Sequence, residues 1–333
     1  MPPKRKSQDE VDYEEELLSN YKRVCKALGI PESKELLASL FPAEQSKGKE
    51  AEHIQQVCVD SKLGALGTRA LAAAVLGKGQ GMKSHYPFLR SLRFWEAETG
   101  DAGVAAVAAL LKVGPPLVAL GNVEFMNCGV GPEGCWALGD ALMLGANTSL
   151  QTLSLDINPG IADAGTMQLC EGLRSNPTLT KLQLSYCEVA ADGAAALAEV
   201  LSMPTCALKS LDLSGNRLGS EGLASLASGL AANTSLEELN LADNGIGATV
   251  DDAMTIDALT ALGEVLVSTT CPLAVVDLTL NSLDAPMAEH LVQYLGSDNT
   301  KVRGFLVDAA LPPDLYDKLL RLDKGKKKKK KKK

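Results

Sequence analysis

The sequence predicts an α/β solenoid: a right-handed open arc with a parallel β-sheet lining its concave face and helices on its convex face. Three observations carry this. An apolar frame recurs seven times in one register. Within each copy a pair of apolar residues alternates with the period of a strand. Each pair is followed by an apolar i, i+4 stripe with the period of a helix.

The frame is clearest at Leu208-Lys-Ser-Leu211-Asp-Leu213-Ser-Gly-Asn216-Arg-Leu218, followed by Gly222, Leu226 and Leu230. Copies start at Leu89, Leu120, Leu150, Leu179, Leu208, Leu236 and Leu273, at intervals of 31, 30, 29, 29, 28 and 37 residues. The strand pairs are Leu92/Phe94, Val123/Phe125, Leu153/Leu155, Leu182/Leu184, Leu211/Leu213, Leu239/Leu241 and Val276/Leu278. Three residues after the second member stand Ala97, Cys128, Asn158, Cys187, Asn216, Asn244 and Asn281. A buried Asn there satisfies backbone groups of adjacent turns, so Cys128, Asn158, Cys187, Asn216, Asn244 and Asn281 are expected to form a structural ladder, weak at Ala97. Helices follow Gly103, Gly134, Gly165, Gly193 and Gly222, with pairs such as Val107/Leu111 and Leu197/Leu201 on one face. Ala194, Ala195 and Ala196 favour helix and allow close layers.

The remaining elements are read in order. Residues 1–10 are polar and basic, and are expected to be disordered. Residues 11–50 form a helical N-terminal cap: Leu17, Leu18, Tyr21, Val24, Cys25 and Leu28 make one stripe, with Ser7 and Glu10 as its capping box. Gly29 and Pro31 stop that helix, and 32–40 form another. The solenoid runs over 51–310, with clear repeats at 89–295 and a degenerate first layer at Ile54 to Val59. Eight extra residues from Ala248 to Thr255 are expected as a rim loop. Ile161, beside Pro159, is shifted by one place through a looped-out residue. Val302 and Phe305 open a last partial layer, 311–323 hold a capping helix, and 324–333 are a disordered lysine tail.

These motifs resemble the ribonuclease-inhibitor-like leucine-rich-repeat superfamily over residues 89 to 295, down to the Asn/Cys alternation. The superfamily includes ribonuclease inhibitor, the Ran GTPase-activating protein, pointed-end actin cappers and subunits of ciliary complexes. The resemblance implies a binding scaffold without implying a partner. Residues 21–31 also resemble the stretch preceding the repeats in some ciliary members.

In that architecture the residues flanking the strand leucines face the concave side. The expected partner-binding column is Arg93, Trp95, Glu124, Met126, Asp156, Lys181, Gln183, Asp212, Asn240 and Asp277, with Arg93, Trp95, Glu124, Met126 and Asp156 as its energetic centre. Trp95 has a second reading, packed under the N-terminal cap.

The chain is formally −8, but Lys318–Lys333 holds eleven Lys or Arg and one Asp, and Lys4, Arg5 and Lys6 add three more. The body is therefore −21. Lys324, Lys326, Lys327, Lys328, Lys329, Lys330, Lys331, Lys332 and Lys333 are expected to bind polyanions such as RNA, tubulin tails or an anionic surface, without aromatic residues for base readout.

No zinc spacing surrounds His53, His85 or His290, Gly77–Gly81 lacks the P-loop spacing, and no nucleophile elbow occurs, so no metal, cofactor, small-molecule substrate or enzymatic activity is expected. Eight scattered cysteines without a CxxC pair read as reduced thiols. No secretory signal and no apolar run near 20 residues is seen, so the sequons at Asn147 and Asn233 read as chance matches. The setting expected is intracellular: cytoplasmic, with cytoskeleton or cilium on family analogy, or nuclear through Pro2–Lys6. Function reads as a protein-interaction scaffold in a cytoskeletal or axonemal assembly. Alternatives are a Ran-type GTPase activator through Arg217, an inhibitor-type regulator, and an RNA-associated protein recruited by its tail.

Overall fold

The computed structural model describes residues 11–40, 53–77, 82, 84–114, 117–248, 252–296 and 298–323. Among the described residues nine strands form one parallel sheet in sequence order. They are β1 (Gln56–Val59), β2 (Ser91–Trp95), β3 (Asn122–Met126), β4 (Thr152–Ser154), β5 (Lys181–Gln183), β6 (Ser210–Asp212), β7 (Glu238–Asn240), β8 (Val275–Asp277) and β9 (Gly304–Leu306). A helix follows each strand: α3 (Gly64–Leu76), α4 (Gly100–Val113), α5 (Pro132–Leu142), α6 (Ala162–Leu173), α7 (Ala191–Ser202), α8 (Gly219–Ala231), α9 (Asp252–Val267), α10 (Ala285–Val292) and α11 (Pro313–Leu319). Before them come α1 (Tyr13–Leu28) and α2 (Lys34–Leu40).

The stacking follows from the frame. The paired strand residues register across the whole sheet and are buried, as are all seven frame-opening leucines. Each buried Leu contributes roughly 1.5–3 kcal/mol, and no layer closes its core without its neighbours. In β2 and β3 the rings of Phe94 and Phe125 stack at 5.0 Å.

A ladder of asparagines ties the layers. Asn158 Nδ2 donates to Phe125 O in the preceding layer and to Leu155 O, while its Oδ1 accepts from the amides of Cys128 and Val130. Asn216 repeats this one layer pair later, on Leu184 O and the amides of Cys187 and Val189. Asn281 does so on Leu241 O and the amides of Asn244 and Ile246. Asn244 Nδ2 bonds Leu213 O. The thiols of Cys128 and Cys187 donate back to Phe94 O and Leu155 O, the one donor role a thiol can take over from Asn.

A second ladder runs through the turns between helix and strand. Asn147, Asn176 and Asn233 each donate to the last turn of the helix one layer back, at Leu111, Leu142 and Leu201. Each Oδ1 accepts the amides two and three residues on. All three are buried, so the sequons at Asn147 and Asn233 are structural turns.

The layers also alternate in how their helices start. In the Cys128 and Cys187 layers, Gly131 and Ala190 are extended, and their amides are capped by Asp101 and Asp163 of the preceding layer. In the layers between, the helix is preceded or opened by a left-handed residue, Gly100, Ala162 or Gly219, whose amide donates to the ladder residue's carbonyl one layer on. Helices accordingly pack closest in pairs: a Cβ on Gly172 would lie 1.8 Å from Gly139 O.

Three expectations need correction, and the one at Ile161 gains a detail. Ser7 and Glu10 lie outside the described residues, and the cap of α1 is Asp12, which accepts from the Glu15 amide. Asp252–Thr255, expected as loop, is the first turn of α9, with Thr255 buried against Ser220. The shift at Ile161 leaves that side chain buried, and the strain falls on Ala162 at φ 46°. Trp95 does not pack under the cap; it is 57% exposed. Residues 1–10, 41–50, 78–81 and 324–333, which hold the basic N-terminus, part of the cap, the glycine loop and the lysine tail, are outside the described residues.

Candidate functional site

Alternation along each strand sends one set of side chains into the core and the other to the open side of the sheet. On the open side, register places Cys58 beside Arg93, Arg93 beside Glu124, and Trp95 beside Met126. Arg93 Nε donates to Glu124 Oε2 at 2.7 Å, and Asn122 Nδ2 donates to Glu124 Oε1 at 2.8 Å. Glu124 is thereby fixed between two strands, and its hydrogen bond and then its charge further raise the already high pKa of the Arg93 guanidinium. Trp95 has no such tether and stands exposed next to Met126.

The next residue in each layer, just before the ladder position, is Glu96, Asn127, Ile157, Tyr186, Gly215, Asp243 or Leu280, and all seven have positive φ. The cause is shared. Except at Leu280, each amide continues the parallel ladder by donating to a backbone carbonyl of the next layer, for example Ile157 N to Ser185 O at 2.8 Å. Leu280 donates to Asp308 Oδ1 instead. The left-handed turn throws these side chains outward, leaving Ile157 41% and Tyr186 52% exposed. Trp95, Met126, Ile157 and Tyr186 therefore line one rim of the concave face over β2 to β5. Ile157 and Tyr186 fall between the strand and the ladder, outside the recurring apolar frame.

Asp156 is not part of an open site. It is 5% exposed, and its carboxylate accepts from Ser154 Oγ, the Ser185 amide and Ser185 Oγ. Burial and three donors make it a structural brace between two layers. Asp212 and Asp277 do a similar task within their own layers, accepting from Ser214 and Thr279. Asn240 donates to Asp212 Oδ2 at 3.1 Å. Lys181 is exposed, and Gln183 is half-buried beside Ser154 and Asp212.

Other candidates sit in structural contacts. The Arg217 guanidinium is 2.9 Å from Glu188 of the preceding layer. His53 stacks on Phe88 and lies 3.0 Å from Glu14, inside the N-terminal cap. His290 meets Thr260 at 2.6 Å. All eight cysteines are unbridged. Burial pushes the Cys170 and Cys187 thiols up to about 12 and raises Cys128, Cys135 and Cys271, against the direction a nucleophile requires. Among the described residues no group of three or more His, Cys, Asp or Glu is placed to hold a metal ion, and no helix is long and apolar enough to cross a membrane.

A family model described as leucine-rich repeat matches residues 175–198, 206–227 and 232–249. The chain is similar to the ribonuclease inhibitor of Sus scrofa, 38% identical over 162 residues, which is 48% of this chain and 34% of that protein. It is similar to the NACHT, LRR and PYD domains-containing protein 5 of Homo sapiens, 31% identical over 199 residues, 59% of this chain and 15% of that protein. Among solved structures, a tropomodulin C-terminal domain of Caenorhabditis elegans aligns with a TM-score of 0.39 and 18% identity, over 49% of this chain and 90% of that one. The chain spans about a third of the length of the ribonuclease inhibitors it matches. With seven in-frame layers, a parallel sheet of nine strands among the described residues and these matches, the repeat array is an α/β leucine-rich-repeat solenoid, similar in sequence to ribonuclease inhibitors.

Proposed function

We propose that this chain is a non-enzymatic interaction scaffold that seats a protein partner on the N-terminal half of its concave face. The observation that carries the reading is Trp95: 57% exposed on a strand paired on both sides, in register with Met126 and next to a fixed Arg93–Glu124 pair. An exposed Trp on a rigid element gives up little conformational entropy on binding, and aromatic anchors of this kind contribute about 2 kcal/mol or more. Ile157 and Tyr186 extend the apolar strip to four layers.

The family resemblance, and nothing in the site itself, points to a cytoskeletal or axonemal assembly as the setting. Residues Lys324 to Lys333 stand beside this as a proposed electrostatic attachment to polyanions, steeply weakened by salt.

Affinity capture from cell extract with wild type, Trp95→Ala and Trp136→Ala tests the reading. Trp136 lies on helix α5, on the convex side, and is equally exposed at 58%. A partner lost with Trp95→Ala and kept with Trp136→Ala supports the concave site. The reverse pattern would sink it.

A further inference from the structure

The strip of Trp95, Met126, Ile157 and Tyr186 has a spacing, a direction and two charged ends. Its members stand one to a layer, on β2, on β3 and in the turns after β4 and β5. Trp95 registers with Met126. The amides of Asn127, Ile157 and Tyr186 then carry the ladder on, donating in turn to the carbonyls of Asp156, Ser185 and Ser214. Tyr186 closes the strip. Its ring lies over Gly215 of the next layer, where an added Cβ would meet Tyr186 Cε1 at 2.3 Å. The glycine gives the ring a fixed seat that leaves it 52% exposed.

Charge marks the two ends. In the row of left-handed turn residues, the strip is flanked by Glu96, beside Trp95, and by Asp243, two layers past Tyr186. Both are exposed, neither makes an ion pair with a described residue, and the row holds no Lys or Arg. The neighbouring charges are already paired: Glu98 with Lys62, Glu124 with Arg93, and Glu188 with Arg217. The exposed Lys181 stands at the start of β5, across the face from this row. Lys209 and Arg303 likewise precede their strands, and they meet Glu237 and Asp323. Leu280 is exposed in the same row, but beyond Asp243.

Spacing selects the shape that fits. The four layers of the strip cover three strand spacings, about 14–15 Å. An α-helix laid across the strands brings residues i, i+3, i+7 and i+10 to one face, about 15 Å from first to last. An extended segment presents alternate residues about 6.6–6.8 Å apart, so its fourth would fall about 20 Å from its first. From Glu96 to Asp243 there are five strand spacings, about 24 Å, which a helix of about 18 residues spans.

We propose that the segment seated on this strip is an amphipathic α-helix lying across the strands. Four apolar residues at i, i+3, i+7 and i+10 meet Trp95, Met126, Ile157 and Tyr186, and a Lys or Arg lies over each of Glu96 and Asp243. The proposal rests on Trp95 as the anchor and adds the shape and charge of what it anchors.

The test uses two displayed libraries of peptides about 18 residues long, selected on the full chain. One fixes apolar residues at i, i+3, i+7 and i+10, the other at alternate positions, and both vary the rest. The helical library should yield binders that gain helical circular dichroism on binding and carry Lys or Arg towards both ends. Their affinity should fall about thirtyfold with Trp95→Ala and about fivefold with Ile157→Ala or Tyr186→Ala. Glu96→Lys should weaken them about fivefold in low salt and have little effect at about 1 M, where the screening length is about 3 Å. Leu280→Ala should leave them unchanged. An empty helical library, an equal yield from the alternating one, or indifference to both Ile157→Ala and Tyr186→Ala would overturn the helix and leave the Trp95 anchor to its own test. Binders indifferent to Trp95→Ala would overturn both.

Discussion

The two halves of the concave face are built on one repeat and differ in what the repeat leaves open. Over β2 to β5 the open side carries an exposed Trp, a Met and two apolar rim residues, with its charges paired as Arg93–Glu124, buried as Asp156 or exposed as Lys181. Over β6 to β9 the outward strand positions carry Asp212, Glu238 and Asp277 and no Lys or Arg, and Leu280 is the exposed apolar rim residue. The difference teaches that an acid in the outward column is not one kind of residue. With a Ser or Thr two residues on, or in the next layer, the carboxylate turns back to brace the loop. Without one, as at Glu238, it faces solvent.

The largest effect should come from breaking the ladder under the first half. Asn158→Ala removes the partners of two buried amides and three carbonyls, and is expected to cost about 3 kcal/mol in denaturant unfolding. Asn281→Ala, in the more open second half, should cost less, about 1–2 kcal/mol. Equal losses would show that the two ends of the array are tied with the same strength.

The next comparison sets a bracing acid against an open one. Asp156→Ala leaves the Ser185 amide and two hydroxyls without acceptors and should lower stability by about 2 kcal/mol. Glu238→Ala should change it by less than about 0.5 kcal/mol. A double-mutant cycle on Arg93 and Glu124 should give a coupling of about 0.5–1 kcal/mol that shrinks with added salt. The smallest effect is a gain. Ala162 occupies at φ 46° a position where other layers have Gly100 and Gly219, so Ala162→Gly should raise stability by about 0.5 kcal/mol in thermal unfolding.

Much of the architecture is legible in the sequence because burial of the strand leucines imposes a strict period. Seven frames starting between Leu89 and Leu273 give the layers, and the Asn and Cys after each strand mark the ladder. The devices that act between layers are not legible in the same way. Asp101 and Asp163 cap a helix about 30 residues away, and Asn147, Asn176 and Asn233 bond a carbonyl one layer back. No local pattern announces such a partner. Among the site residues, Trp95, Met126, Arg93 and Glu124 follow from strand alternation alone. Asp156 shares their alternation, but its fate depends on Ser185 in the next layer. Ile157 and Tyr186 reach the face only through a left-handed turn that their residue types disfavour, because the amide there must continue the sheet.

The central claim is that the first half of the concave face anchors a protein. Its most direct measurement is the affinity of the captured partner for wild type, Trp95→Ala and Trp136→Ala, each first shown to unfold at the same denaturant midpoint. The account predicts a loss of about 2 kcal/mol, roughly thirtyfold in Kd, for Trp95→Ala and no change for Trp136→Ala. Unchanged affinity in Trp95→Ala, with the fold intact, would contradict it.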